Sequence, residues 1–241
     1  MKTLYDIIWE KHGKKPKPIL LNTEMVRAIL NGRKTQTRRP MEKQMKAKGN
    51  WGYSAFNPSG YISFRNKGEE KFLKLLYQPS DILYVRETWK VLDISVELLS
   101  LWIKYQVDGK CKRIKFKYDR LHKFRKYYDK EGWKPSIFMP KEAARIFLKV
   151  TGISVERLQD ITTENAISEG AREEKNHLTD PETKEERLYI HYHDYSGRNN
   201  YCTARVSYKY LWNNLYASKG YSWNDNPWVW VIEFERCDKP C

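Results

Sequence analysis

The feature that most limits the possible folds of this chain is a repeated pattern of short predicted helices. Each helix ends at a glycine, and the first follows a short apolar run. The segment PILLNTEMVRAILNG has an apolar run at residues 19–21, an N-cap residue at Asn22 or Thr23, and a stop at Gly32. The segment TTENAISEG shows the same cap, short helix and glycine, and ends at Gly170. These blocks favour an α+β domain over a bundle of long helices.

Two further segments predict strands. After the turn QPSD, the segment ILYVRETWKV alternates, and it places Glu87 on the more apolar face, where an unpaired carboxylate is costly. The closing segment WVWVIEFER is a nearly continuous apolar and aromatic strand. Neither a G-x-G-x-x-G motif nor a P-loop occurs in the sequence, so a dinucleotide enzyme and a P-loop NTPase are not predicted. We predict a small mixed β-barrel or α+β domain with short flanking helices.

The chain reads as one elaborated domain. We assign residues 1–16 to an N-terminal extension, 17–236 to the domain and 237–241 to a tail. Two stretches within the domain differ in composition and are predicted to be insertions: 92–132, which is basic and aromatic, and 171–202, a polar loop.

The charge balance points to a polyanionic partner. Forty-five Lys and Arg face thirty Asp and Glu, which gives a net charge of +15. The nine Trp, seventeen Tyr and eight Phe interleave with these cations, a composition suited to base stacking and phosphate contact. We therefore predict RNA or another single-stranded nucleic acid, or a modified nucleoside, as the partner.

The first insertion concentrates this charge. Residues 110–130 contain ten Lys or Arg and two Asp, and a hairpin turning at Asp108-Gly109 precedes most of them. A solvated, purely structural hairpin and helix is the alternative interpretation. The side chains predicted to contact phosphates are Lys112, Arg113, Lys115, Lys117, Arg120, Lys123, Arg125 and Lys126.

We expect a cytoplasmic protein without a membrane partner. The N-terminal segment MKTLYDIIWEKHGKK lacks the uninterrupted apolar core of a signal peptide, and no window approaches a transmembrane span. Cysteines are then expected to stay reduced. The nearest cysteine pair, Cys237 and Cys241, has C-x3-C spacing at a chain end, and His191, His193 and Cys202 add only a weak zinc signal. No metal and no cofactor are predicted.

The segment NGRKTQTRRP carries the residue types needed for amide hydrolysis. Thr37 is a candidate nucleophile, Glu87 a candidate base, and Lys34 a candidate activating or oxyanion-stabilising group. Positions 34 and 37 point to opposite faces of an ideal strand, so convergence requires a turn or a bulge. The structural alternative is that Lys34 and Thr37 occupy an edge strand and that Glu87 pairs with an arginine.

Four blocks together resemble the ASCH-domain family, whose members are PUA-like in fold: PILLNTEMVRAILNGRKTQTRRP, QPSDILYVRETW, TTENAISEGA and NPWVWVIEFER. Of the family signature Gly-x-Lys-x-x-Glu-x-Arg, this chain has Gly32, Lys34 and Arg39, with Thr37 in place of the glutamate. The Lys-x-x-Thr pattern with a downstream strand glutamate is similar to that of the amidohydrolases that deacetylate 4-acetylcytidine. The greater length of the chain is similar to that of family members from phage genomes.

This resemblance implies a PUA-like ASCH β-barrel elaborated by insertions. It also implies Lys34, Thr37 and Glu87 as a catalytic group. Further ligand contacts are predicted for Thr35, Arg38, Arg39 and Trp89.

Three functions follow as hypotheses. The first is binding of RNA or a modified nucleobase in a pocket around Lys34, Thr37 and Glu87. In this hypothesis the basic insertion contacts the phosphates. The second is an amidohydrolase that removes an acyl group from a modified nucleoside such as 4-acetylcytidine. The third is a non-catalytic adaptor or inhibitor that binds a protein through the aromatic-rich insertions.

Overall fold

A computed structural model of the 241-residue chain defines its secondary structure. The described residues are 15–42, 52–57, 60–128, 132–179, 186–193, 195–196 and 202–239. Most of the predicted N-terminal extension and the end of the tail therefore lie outside the described residues.

Strands outnumber helices, and the fold is mixed α+β as predicted. In chain order the elements are β1 (Lys17–Leu20), α1 (Thr23–Leu30), β2 (Gln36–Pro40), β3 (Gly52–Asn57), β4 (Tyr61–Asn66), β5 (Glu69–Lys74), β6 (Ile82–Arg86), β7 (Trp89–Ser95), β8 (Ser100–Tyr105), β9 (Cys111–Lys115), α2 (Tyr118–Tyr128), β10 (Phe147–Arg157), α3 (Thr163–Ser168), β11 (Glu173–Thr179), β12 (Glu186–Tyr192), α4 (Ala204–Tyr216) and β13 (Trp228–Cys237).

The chain divides into two compact units. The first unit comprises Met1–Leu30, Ser80–Lys149 and Glu235–Cys241, and the second comprises Asn31–Pro79 and Val150–Phe234. A single domain with two insertions stays a prediction.

The first unit contains two groups of strands. Strand β6 pairs in parallel with β1 and antiparallel with the start of β10. Strands β7, β8 and β9 form an antiparallel sheet, and helix α2 packs on it: the Phe124 ring lies 6.3 Å from that of Trp89 and 4.8 Å from that of Phe116, between ring centroids. The buried cluster consists of Tyr84, Trp89, Leu101, Ile103, Tyr105, Ile114, Phe116, Phe124, Met139, Ala143, Ala144 and Phe147.

The second unit contains the remaining strands. Strand β13 pairs antiparallel with β2, so that Ile232 lies opposite Thr37 and Trp230 opposite Arg39. Strands β3, β4 and β5 form a second antiparallel sheet, and β11 and β12 form a hairpin. Helices α3 and α4 begin at threonine N-caps, because the Thr162 and Thr203 hydroxyls accept backbone N–H groups of their own helices.

Local signals place several elements correctly. The Asn22 side chain accepts the backbone N–H of Met25 at 2.8 Å, which makes Asn22 the cap of α1. Gly32 and Gly170, the predicted helix stops, have φ values of +72° and +94°, in the left-handed region that glycine adopts without strain. The predicted hairpin turn has Gly109 at φ +68° between β8 and β9.

Two features differ from the expectations. The described strands form open sheets, and no closed barrel is present among them; β1 pairs only with β6, and β2 only with β13. Within the stretch expected to be a polar loop, β11 and β12 pair over seven residues. The tyrosine, isoleucine and histidine alternation of YIHY favours such a strand, although its polar flanks mask the signal.

The core of the first unit yields a prediction. Trp89→Ala should lower the free energy of unfolding by about 3–5 kcal/mol, because a fully buried indole is replaced by a cavity. Urea unfolding followed by circular dichroism measures this change. Phe138→Ala is the control, since that ring is 50% exposed and its loss should cost less than about 1 kcal/mol. Equal losses in the two variants would contradict the assignment of Trp89 to the core.

Candidate functional site

A buried ion pair anchors the segment that leads into β2. Lys34 is 3% exposed, and its Nζ donates to the Glu169 carboxylate at 2.7 Å and to the Glu169 carbonyl at 2.8 Å. The two residues also form a backbone bridge. Glu169 itself is 2% exposed and directly follows α3. Lys34 is therefore fixed to the end of α3 by both its main chain and its side chain.

Arg38 completes this cluster. Its guanidinium donates to Glu169 at 3.1 Å and to Glu156 at 2.6 Å, and its side chain is fully buried. Two cations, Lys34 and Arg38, thus face two carboxylates, Glu156 and Glu169. Charge balance of this kind offsets the large cost of removing ions from water.

Burial lowers the pKa of the Lys34 ammonium, and the attraction of Glu169 opposes this effect without cancelling it. The positive charges of Arg38 and Arg39 lower that pKa further. The pKa of Arg38 is raised instead, because Glu169 and Glu156 outweigh the effect of burial. Lys34 is thus the member of the cluster that most easily loses its charge.

Alternate residues leading into and along β2 contact the α3 region. Lys34 and Arg38 reach Glu169, and between them Gln36 donates to the backbone carbonyl of Asn165 at 2.6 Å. Because side chains alternate along an extended chain, these three residues share one side. Thr37 lies on the other side, so its side chain points away from that of Lys34.

Thr37 is 1% exposed, and its hydroxyl has no hydrogen-bond partner among the described residues. A buried hydroxyl without a partner is unfavourable and therefore informative. The neighbouring candidates differ: Arg39 donates to the Tyr216 hydroxyl, whereas Thr35 is exposed and its backbone N–H donates to Ser168 at 2.9 Å. Thr35 therefore faces solvent, whereas Thr37, two positions further along the chain, is buried.

Glu87 lies in the first unit and is 1% exposed. Both of its carboxylate oxygens accept from Arg145, at 2.9 and 2.8 Å. Arg145 also pairs with Asp108 at 2.8 Å and lies over the Tyr105 ring at 3.8 Å from its centroid. The Arg145 guanidinium therefore links Glu87 to Asp108 in the turn of the β8–β9 hairpin.

The predicted catalytic group is divided between the units: Lys34 and Thr37 belong to the second, and Glu87 and Trp89 to the first. Sequence reasoning missed Glu169 as the partner of Lys34. It foresaw an arginine beside Glu87 as the structural alternative but did not identify Arg145. Glu169 had one local signal, because a carboxylate at a helix C-terminus opposes the helix dipole and suggests a partner elsewhere.

The predicted phosphate contacts fall into different environments. Lys112 donates to the backbone carbonyls of Glu142 and Ala144, and Arg120 pairs with the Glu142 carboxylate. Burial lowers the pKa of Lys112. These two cations are engaged within the first unit.

The other predicted cations face solvent. Arg113 and Lys115 on β9, Lys117, and Arg125 and Lys126 on α2 are all exposed. The side chain of Lys123 lies outside the described residues.

Two histidines, His191 on β12 and His193 just after it, lie close to the same carboxylate, that of Glu174. The rings of His191 and His193 lie 3.4 Å and 3.0 Å from Glu174 oxygens, and the Cys202 thiol donates to the Tyr192 carbonyl. In the described part of the chain, no three His, Cys, Asp or Glu residues are grouped so as to hold a metal ion.

Comparison with protein-family models, curated proteins and solved structures finds no match to this chain. Across the described ranges, no helix combines the length and the apolar character needed to cross a membrane.

The cluster around Glu169 yields a prediction. Glu169→Ala should lower the free energy of unfolding by about 3–5 kcal/mol, because it leaves Lys34 without its carboxylate partner and Arg38 with only one. Chemical denaturation measures the change. The control is Glu173→Ala, whose side chain is 41% exposed, and it should have little effect. A stability of Glu169→Ala close to that of the control would show that the buried pairs are dispensable.

Proposed function

We propose that the protein binds nucleic acid, RNA in particular, through the exposed cations of its first unit. One observation carries the proposal: Arg113, Lys115, Arg125 and Lys126 are exposed, and none of them forms an ion pair with another described residue. Cations that are not neutralised by neighbouring carboxylates attract phosphates most strongly.

These cations are displayed on ordered elements. Strand β9 buries Ile114, the link after it buries Phe116, and helix α2 buries Phe124 in the core of the first unit. Their polar sides are thereby held towards solvent, so that phosphate contacts need not first order a loose segment. This arrangement supports a binding surface more than a merely solvated insertion.

The PUA-like class of fold belongs to the same proposal. Its support is the resemblance of the four sequence blocks, together with the mixed α+β architecture. A base-binding site beside Thr37 is a further part of it, and the observation that favours a ligand there is the buried Thr37 hydroxyl, which has no partner among the described residues.

The charge proposal has a direct test. In Arg113→Ala/Lys115→Ala and in Arg125→Ala/Lys126→Ala, the affinity for a fluorescein-labelled single-stranded RNA should fall in at least one pair. The slope of log K against log salt should become shallower by about 1.4 in that pair, since each phosphate contact on a single strand contributes about 0.7. Fluorescence anisotropy across a salt series measures both quantities.

Lys71→Ala/Lys74→Ala supplies the matched control, because both lysines are exposed on β5 of the second unit. An affinity and salt slope that match the wild type in both first-unit pairs would contradict the proposed surface.

A second candidate function is hydrolysis of an acylated nucleoside. The buried Thr37 hydroxyl has no described partner, and the lowered pKa of Lys34 brings it closer to the neutral amine that can accept a proton. In this scheme the threonine oxygen attacks the amide carbonyl, the amine leaves with a proton, and water then cleaves the acyl ester. Lys34 pairs with Glu169 on the side of the chain opposite Thr37, and Glu87 is bound by Arg145, which makes this the weaker candidate.

Chromatography of 4-acetylcytidine reactions tests this candidate. Turnover should disappear in Thr37→Val, which keeps the side-chain shape without the hydroxyl, and in Glu87→Gln. It should persist in Thr35→Val, because Thr35 is exposed. Circular dichroism checks that each variant folds. Equal turnover in Thr37→Val and the wild type would remove Thr37 from the reaction.

A further inference from the structure

We propose that the first unit binds single-stranded nucleic acid by stacking bases on Trp102 and Trp133, which lie on the solvent side of the β7–β8–β9 sheet. This inference rests on the proposed nucleic-acid binding and adds the form of the ligand and the residues that read it. We call this surface the outer sheet face. Its members are Lys90, Asp93, Trp102, Lys104, Arg113, Lys115 and Trp133.

Alternation along β8 defines the two sides of the sheet. Leu101, Ile103 and Tyr105 are at most 1% exposed and belong to the buried cluster. Trp102, between them, is 41% exposed. Successive strand residues point to opposite sides, so Trp102 projects away from the side that packs against α2.

The strand register surrounds Trp102 with polar neighbours. Arg113 lies directly opposite it on β9, and Asp93 lies opposite it on β7. Arg113 also donates to the Ser100 hydroxyl at 3.0 Å, which holds its guanidinium on the same side as Trp102. A cation is thereby fixed beside an exposed indole.

Trp133 extends this surface beyond β7. The backbone of Lys134 exchanges two hydrogen bonds with that of Trp89, at 2.7 and 3.2 Å, so residues 133–134 continue the sheet. Trp89 is buried, and its neighbour Lys90 therefore points outward, where its Nζ lies 5.2 Å from the Trp133 ring centroid. Trp133 is 39% exposed and is likewise accompanied by a cation.

Spacing allows the two indoles to stack different bases. Trp133 is level with Lys90 and Lys104, so it lies two interstrand steps across the sheet and two residues along β8 from Trp102. The separation is about 12 Å, at roughly 4.8 Å per step and 3.4 Å per residue. A single strand crossing the sheet thus passes Lys90 and Lys104 between the two rings and meets Arg113 and Lys115 beyond Trp102. Asp93 is the one carboxylate among the residues that define this face.

The chemistry of the face selects the ligand. Indoles flanked by cations match unpaired bases joined by phosphates, because every base has a stacking surface and every linkage has a negative charge. A duplex hides its bases within its own stack. A protein partner would instead be favoured by apolar neighbours, whereas charged residues lie opposite Trp102 on both neighbouring strands and a lysine lies over Trp133. Lys112 lies on the opposite side of β9 and is occupied by carbonyl groups, so it is excluded from this set.

Anisotropy titrations with a fluorescein-labelled uridine 12-mer test the inference. Trp102→Ala and Trp133→Ala should each weaken binding by about 5- to 100-fold, the effect expected for loss of one stacked base. Trp102→Phe should retain most of the affinity, because it keeps a ring. A deoxythymidine 12-mer separates RNA from DNA, and a double-stranded RNA should bind more weakly than the single strand.

Two controls distinguish a loss of affinity caused by lost stacking from one caused by lost charge or by a damaged fold. Phe72→Ala removes an aromatic ring that is 60% exposed on β5 of the second unit and should leave binding unchanged. Heparin carries negative charge without bases, so its affinity should fall in Arg113→Ala/Lys115→Ala and stay unchanged in the tryptophan variants. Circular dichroism confirms folding of each variant.

The outcomes distinguish this inference from the proposed function. RNA binding that depends on the first-unit cations but is unaffected by either tryptophan substitution would overturn the stacking face and leave the proposed function standing. No binding of any nucleic acid by the wild type would overturn both. Equal losses in Trp102→Ala and Phe72→Ala would also count against a specific face.

Discussion

The second unit depends on one buried carboxylate. Glu169 receives Lys34 and Arg38, and both of these side chains are almost completely removed from water. A buried cation without its partner is far more costly than an exposed one, so the segment from residue 34 to residue 38 can adopt its position only with the end of α3 in place. The helix and the strand are thus coupled by electrostatics as well as by backbone hydrogen bonds.

Arg145 has a comparable role in the first unit. One guanidinium binds Glu87 inside the unit and Asp108 at the hairpin turn, and it stacks on Tyr105. This planar, multidentate contact suits arginine better than lysine. It holds the β8–β9 hairpin against the core, and this hairpin carries Arg113 and Lys115 of the proposed binding surface. The catalytic interpretation of Glu87 and its structural role therefore compete for the same oxygen atoms.

A single-residue step along β9 separates a structural cation from a candidate binding cation. Lys112 points towards the unit and donates to backbone carbonyls, whereas Arg113 points outward beside Trp102. Composition treats these two residues alike. Strand register distinguishes them, because shifting a strand by one residue exchanges its two faces. The count of basic residues alone therefore overestimates how many of them face solvent.

The sequence by itself determined the elements whose signals are local. The cap at Asn22 or Thr23, the glycine stops at residues 32 and 170, the Asp108-Gly109 turn and the apolar closing strand all act over a few residues. All appear in the structure, with Asn22 as the cap. Only the tertiary structure decided which partners the charged residues take. Glu169 is 135 residues from Lys34, and Arg145 is 58 from Glu87. Such pairs form because burial makes an unpaired charge costly, and burial is a property of the folded chain that no short stretch of sequence contains.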